Sequence, residues 1–193
     1  MPSPDPARPV RSDARRNRDK LVAVARAAFA AADGAVALEA VAREAGVGIG
    51  TLYRHFPTRE ALVEAVYAAE LDAVTDSAPA LLEHLAPEKA LRAWMDRYAA
   101  FVATKRGMGD VLRASVASGR IATPATRQRI TAAIGAILDA GAKAGTLRAG
   151  VDPEDVTLLL LGVFLSTASP DEGDAERTGR MLDLIVDALR VNR

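Results

Sequence analysis

Apolar residues recur along this chain at three- and four-residue intervals nearly from end to end, a spacing that predicts helices throughout. Ser12 suits the N-cap of a first helix to about Ala32, with Leu21, Val24, Ala25, Ala28 and Phe29 on one face. Asp33-Gly34 ends it. A short helix from about Leu38 to Ala45 stops at Gly46, a residue suited to the left-handed conformation after a helix. Gly48-Ile49-Gly50 forms a turn, and Gly50 or Thr51 opens a second short helix to about Phe56. Pro57-Thr58 breaks the pattern. Thr58 caps a longer helix carrying Leu62, Val66, Ala69, Ala73 and Val74, which ends at Pro79 or slightly earlier.

The next segment, Glu88 to Arg106, turns Leu91, Trp94, Met95, Tyr98 and Phe101 inward. Gly107 and Gly109 interrupt it before a short helix near Asp110–Ala117. Thr123-Pro124 is a cap followed by proline at the first helical position. The helix it starts carries Ile130, Ile134, Ile137 and Leu138 and stops at Gly145. Asp152-Pro153 repeats the signal, and the helix after it is apolar on nearly all faces, so burial on several sides is expected. A polar link, Asp171 to Asp174, precedes a last helix from Ala175 to Arg190. No stretch alternates with period two and β-branched residues. The expected fold class is all-α with about nine helices. Residues 1–11 hold Pro2, Pro4, Pro6 and Pro9 and read as a disordered tail. The expected division is a helix-turn-helix unit at 12–57 and a second helical domain at 58–193.

Composition narrows the chemistry. Half of the 193 residues are hydrophobic, enough for a sizeable core. The 41 alanines favour helix over other structure. Cysteine is absent, which removes disulfides, thiolate nucleophiles and Cys-based metal sites. His55 and His84 are the only histidines, and His84 reads as a plain surface residue. No carboxylate pair, metal spacing or phosphate loop appears, so neither enzyme activity nor a cofactor is expected. Gly48-x-Gly50 lacks the preceding strand that a nucleotide fingerprint requires. The longest mainly apolar run, Leu158 to Leu165, falls short of the roughly 20 residues that span a bilayer. No signal segment is apparent, and a cytoplasmic protein with no membrane partner is expected.

The formal net charge is zero, but its distribution is uneven. Residues 8–26 hold Arg8, Arg11, Arg15, Arg16, Arg18, Lys20 and Arg26 against Asp13 and Asp19, a local surplus of five (seven minus two). Beside this arm stand the two short helices joined at Gly46. Val41, Ala42, Leu52 and Phe56 can pack their corner, which leaves Thr51, Tyr53, Arg54 and His55 outward, all able to bond phosphate or base edges. A basic arm next to such a corner is an electrostatic footprint for DNA.

The run AVAREAGVGIGTLYRHFPTREAL, residues 40–62, resembles the DNA-binding core of the TetR family of transcriptional regulators. The close match covers about residues 15–70. That resemblance implies a homodimer that puts each third helix into a major groove of double-stranded, palindromic DNA, with half-sites roughly 34–36 Å apart or more. It also implies roles by position. Thr51, Tyr53, His55 and Arg59 match phosphate contacts. Gly48, Ile49, Gly50 and Arg54 match positions facing base edges. Arg15, Arg16, Arg18 and Lys20 lie nearest the folded unit and add attraction. One departure is Ala37-Leu38, where the second helix usually begins with Ser or Thr; losing that cap costs roughly 0.5–2 kcal/mol.

Family members bind a small-molecule effector among the middle helices. Trp94, Met95, Tyr98 and Phe101 therefore have two readings, core packing or pocket wall, and Met108, Leu112, Ile134 and Leu138 would complete such a wall. Tyr98, Arg97, Arg113 or Ser115 would supply its polar contact. The two apolar C-terminal helices suit a dimer interface through Leu159, Val163, Met181, Leu184 and Ile185. The expected function is a ligand-responsive regulator, a repressor released from its operator by the effector. The rival from another class is a small-molecule-binding all-α protein with a vestigial helix-turn-helix, from which retained DNA binding would distinguish it.

Overall fold

The computed structural model describes residues 7–31, 36–166 and 174–191. Nine helices are found among them: α1 (Ala7–Ala31), α2 (Leu38–Glu44), α3 (Ile49–His55), α4 (Arg59–Thr75), α5 (Ser77–His84), α6 (Pro87–Ala117), α7 (Pro124–Lys143), α8 (Pro153–Ser166) and α9 (Asp174–Leu189). The only strand-like pairing among the described residues is one antiparallel bridge, Leu147 with Arg190. The fold class is all-α, as the periodicity predicts.

Three local differences from the sequence pattern have physical causes. First, the expected tail is shorter, because α1 begins at Ala7. Pro9 sits in its first turn, where no intrahelical N–H bond is needed. The rest of the tail and the Asp33-Gly34 turn lie outside the described residues, as does most of the 171–174 link. Second, Pro79 does not terminate α4. That helix ends at Thr75, and Pro79 occupies the first turn of α5, again where its missing N–H is harmless. The last carbonyls of α4 are met by hydroxyls: Thr75 Oγ1 donates to Leu71 O at 3.0 Å and Ser77 Oγ to Val74 O at 2.7 Å. Third, the segment near Asp110–Ala117 is the last part of α6, beyond a kink inside that helix. Gly109 alone departs from helical geometry, at φ 55° and ψ −136°, a conformation that favours glycine.

Other boundaries follow their capping chemistry. Gly46 has φ +70° and Gly145 has φ +66°, both left-handed, as C-terminal punctuation requires. Thr123 accepts a 3.4 Å bond from the Thr126 amide, with Pro124 at the first helical position. Asp152 accepts a 2.8 Å bond from the Glu154 amide.

The chain forms two compact units. The first, the head, contains the residues up to Ala69 together with Ala103–Ile121. Its core joins Leu21, Ala25 and Phe29 of α1, Val41 and Ala42 of α2, Leu52 of α3, Leu62, Val63 and Val66 of α4, and Met108. The second, the body, contains Glu70–Val102 and the residues from Ala122 on. Its core holds a group of contacting aromatic rings among aliphatic residues. Trp94 is fully buried, stacks on Tyr98 at 5.5 Å and 7°, and donates from Nε1 to Val74 O at 3.0 Å. Tyr98 also meets Phe101 at 5.9 Å and Phe164 edge-on at 5.4 Å. Such ring geometries favour the offset and edge arrangements of the aromatic quadrupole.

Helices α7 and α8 pack closely in the body. Thr131 Oγ1 donates to Glu154 Oε2 at 3.0 Å and lies 3.0 Å from Thr157 Oγ1. Arg127 pairs with Glu154. The face of α8 toward α7 is buried, but α8 is not enclosed on several sides as its composition predicts. Leu158, Leu159 and Leu165 are 50%, 54% and 78% exposed in the single chain, and Leu184 of α9 is 68% exposed.

Candidate nucleic-acid interface

The corner between α2 and α3 is set by backbone geometry. Ala45 closes α2, Gly46 turns left-handed, and the Val47 amide donates to Ala42 O at 3.0 Å. Gly48 then takes extended backbone as N-cap of α3 without a side-chain bond. Leu52 and Phe56 are buried with Val41 and Ala42, which fixes the inner side of the seven-residue α3. Its outer side is thereby set by helical phase: Gly48, Ile49, Gly50, Tyr53 and Arg54 are exposed, and Thr51 and His55 are half-buried. A side-chain carbon added at Gly48 or Gly50 would meet nothing within 4 Å. Internal packing therefore does not exclude a side chain at either position.

The basic residues divide by partner. Arg15 and Arg16 pair locally with Asp19 and Asp13, and the four side chains are 62–85% exposed. Exposed pairs of this kind contribute little and give way easily. Lys20 is exposed. Arg18 and Arg59 instead have partners inside the head. The Arg18 guanidinium carbon lies 5.3 Å from the centroid of the Phe56 ring. Arg59 Nη1 donates to Val36 O at 2.6 Å. Beside it Thr58 caps α4, accepting from the Ala61 amide at 3.2 Å. The Glu60 carboxyl is held below its ordinary 4.5, first by its backbone hydrogen bond and then by the Thr58 hydroxyl.

The eight predicted pocket residues are divided between the two units. Trp94, Met95, Tyr98, Phe101, Ile134 and Leu138 are buried in the body. Met108 is buried in the head core and Leu112 packs against that same core, because the chain from Ala103 to Ile121 belongs to the head. Of the predicted polar contacts, Tyr98 lies in the buried aromatic group of the body. Arg97 is exposed, Arg113 is exposed and pairs with Asp110, and Ser115 donates to Glu64 Oε1 at 3.0 Å. Of the predicted interface residues, Leu159 and Leu184 are exposed, Met181 is half-buried, and Val163 and Ile185 are buried.

Two features of the head escape the sequence. Glu64 Oε1 accepts from Ser115 and from Arg120 Nε at 2.8 Å, which fastens the 103–121 segment to α4. Lys105 sits with its amine 5.4 Å from the Tyr67 ring centroid, and burial pulls its pKa down to about 8. No spacing rule links residues 51 positions apart, and nothing in sequence marks a lysine as buried. Among the described residues no cluster of three or more His, Cys, Asp or Glu could hold a metal ion, and no helix is long and apolar enough to cross a membrane.

The likeness to known proteins follows the two regions of the chain. The model of bacterial regulatory proteins of the tetR family matches residues 21–66. The model of the C-terminal domain of SbtR-like transcriptional regulators matches residues 86–191. A TetR transcriptional regulator from Streptomyces coelicolor is 45% identical with a TM-score of 0.79, over 91% of this chain and 99% of that one. The chain belongs to the TetR family of transcriptional regulators. A TetR regulatory protein from Mycobacterium vanbaalenii is similar too: 34% identity and a TM-score of 0.71, over 94% of this chain and 99% of that one. A transcriptional regulator from Cytophaga hutchinsonii shares the fold at 18% identity and TM-score 0.68, over 90% and 98% of the two chains. No curated protein matches. As a TetR-family regulator, the protein carries a DNA-binding helix-turn-helix, which is the corner built from α2 and α3.

Proposed function

We propose that this TetR-family regulator is a cytoplasmic homodimeric repressor that leaves a palindromic operator when a small apolar effector binds. The observation that carries this reading is the outer side of α3. Two glycines with open space around them flank exposed Ile49, and Tyr53 and Arg54 follow one turn on. Gly48 and Gly50 let the backbone approach base edges, Ile49 meets a thymine methyl, and Arg54 reads guanine. Arg54 is worth about 1–3 kcal/mol of discrimination. Thr51, Tyr53, His55, Arg15, Arg16 and Lys20 hold phosphates.

Dimerisation uses the exposed leucines of α8 and α9 with Met181. An apolar stripe of this kind is covered at low cost by its own copy about a two-fold axis. The effector site is the aromatic group around Trp94 and Tyr98. An effector releases DNA only as far as it prefers one head spacing over the other.

A gel shift of the full-length protein against the region upstream of its own gene, with salt varied, tests the reading. Binding that weakens steeply with salt and loses sequence preference in Arg54→Ala supports it; salt-insensitive binding, or none, contradicts it. Trp94 is the chain's only tryptophan, so its fluorescence reports effector binding directly.

A further inference from the structure

We infer that Arg18 and Arg59 are positioning residues that brace the two ends of the helix-turn-helix, rather than contacts to DNA phosphates. The inference rests on the DNA-binding reading only for its consequence, since the braces themselves lie within the head.

The start of α2 lacks the usual fastening. Ala37 holds the N-cap position with extended backbone and has no side-chain acceptor for the first amides. The chain there is held from outside instead. Arg59, the first residue of α4, reaches back 23 positions and donates to the carbonyl of Val36 at 2.6 Å. Val36 is itself buried in the head core. A charge-assisted bond to a part-buried carbonyl one residue before the cap fixes where α2 begins.

The far end is held by different chemistry. Phe56 closes α3 with φ −133° and ψ 87°, and its amide donates to Leu52 O at 2.8 Å. The Arg18 guanidinium, brought by α1, covers the Phe56 ring, and the His55 ring lies 6.4 Å from Phe56 on the recognition helix. A flat guanidinium over a ring gives a cation–π contact that an ammonium reproduces less well. The helices that flank the motif thus supply one arginine each, one per end. Arg15 and Arg16 have exposed local acid pairs, which phosphates readily displace.

The test uses the full-length protein, the duplex it selects from a random pool, and a scrambled duplex of equal composition. Variants are Arg18→Met and Arg59→Met, which keep length and apolar stem, and Arg18→Lys and Arg59→Lys, which keep charge. Without DNA, amide exchange should rise about tenfold at residues 38–42 in Arg59→Met and at 53–57 in Arg18→Met. With DNA, preference for the selected duplex should fall about tenfold while the slope of log affinity against log salt stays unchanged. The lysine variants should keep the wild-type slope and still show faster exchange at the braced end. Unchanged exchange, with a slope reduced by about one per methionine variant and preference intact, would make both residues phosphate contacts and overturn the inference. If no sequence is selected, the DNA-reading proposal fails while the exchange data still decide the braces. If a methionine variant does not fold, the corresponding lysine variant decides by amide exchange: faster exchange at the braced end supports the inference, and unchanged exchange overturns it.

Discussion

The exposed residues that distinguish the head are small or polar: Gly48, Gly50, Tyr53, Arg54 and, on α1, Arg15, Arg16, Arg18 and Arg26. Those that distinguish the body are leucines: Leu158, Leu159, Leu165 and Leu184. The two surfaces fit different partners. A hydrated polyanion rewards charge, hydroxyls and close backbone approach, whereas an exposed leucine stripe gains only by being covered with another apolar surface. The interiors differ too. The head core is mainly aliphatic and is completed by Met108 from the Ala103–Ile121 segment, while the body core holds one group of contacting aromatic rings. In the head, DNA binding sits on a short local motif; the body is held by packing between distant helices.

The largest expected effect breaks the body. Trp94→Ala removes a fully buried indole, its bond to Val74 O and its stack on Tyr98, at a cost of about 3–5 kcal/mol. Denaturant unfolding measures it, and a loss under about 1 kcal/mol would mean that the aromatic group is not the centre of that core.

The glycines sharpen the contrast at smaller amplitude. A carbon added at Gly141 overlaps the Leu147 side chain, so Gly141→Ala should cost about 1–3 kcal/mol. Gly50→Ala meets nothing and sits within a helix, so stability should be unchanged or rise by up to ~1 kcal/mol. Its DNA affinity should nevertheless fall, in the same preparations. Equal unfolding curves for the two variants would erase the distinction between a packing glycine and a docking glycine.

The gentlest probe is pH. Unfolded, Lys105 holds its proton up to its ordinary 10.5; folded, only up to about 8. Between those values unfolding takes up a proton, so stability should rise with pH by at most ~1.4 kcal/mol per unit, and the contribution is flat outside that window. Lys105→Met should abolish this rise. A wild-type curve that parallels the methionine curve from pH 8 to 10 would show that the amine is not desolvated.

Much of the fold is legible in sequence because capping and turn chemistry is local. Gly46, Thr58, Thr123-Pro124 and Asp152-Pro153 each mark a boundary within a residue or two of where it falls. Helix α5 is not legible, because a proline that suits a first turn looks the same as one that ends a helix. The continuation of α6 into the head is hidden for another reason. Met108 joins a core built from residues around 40 to 90 positions earlier, and Ser115 meets Glu64. The motif likewise gives the positions of Arg18 and Arg59 but not the ends of their side chains, which lie on Phe56 and Val36. The leucines of α8 read as buried because composition alone does not separate an internal core from an exposed apolar face.

The most direct measurement of the division between head and body is a salt titration of DNA binding by the wild-type protein and Arg54→Ala, on the selected and scrambled duplexes. Log affinity should fall linearly with log salt for both proteins. Preference for the selected duplex should be large in the wild type and fall by roughly tenfold or more in Arg54→Ala, the equivalent of 1–3 kcal/mol at one base pair. Binding that ignores salt, or a preference that Arg54→Ala leaves intact, would contradict the assignment of sequence reading to the outer side of α3.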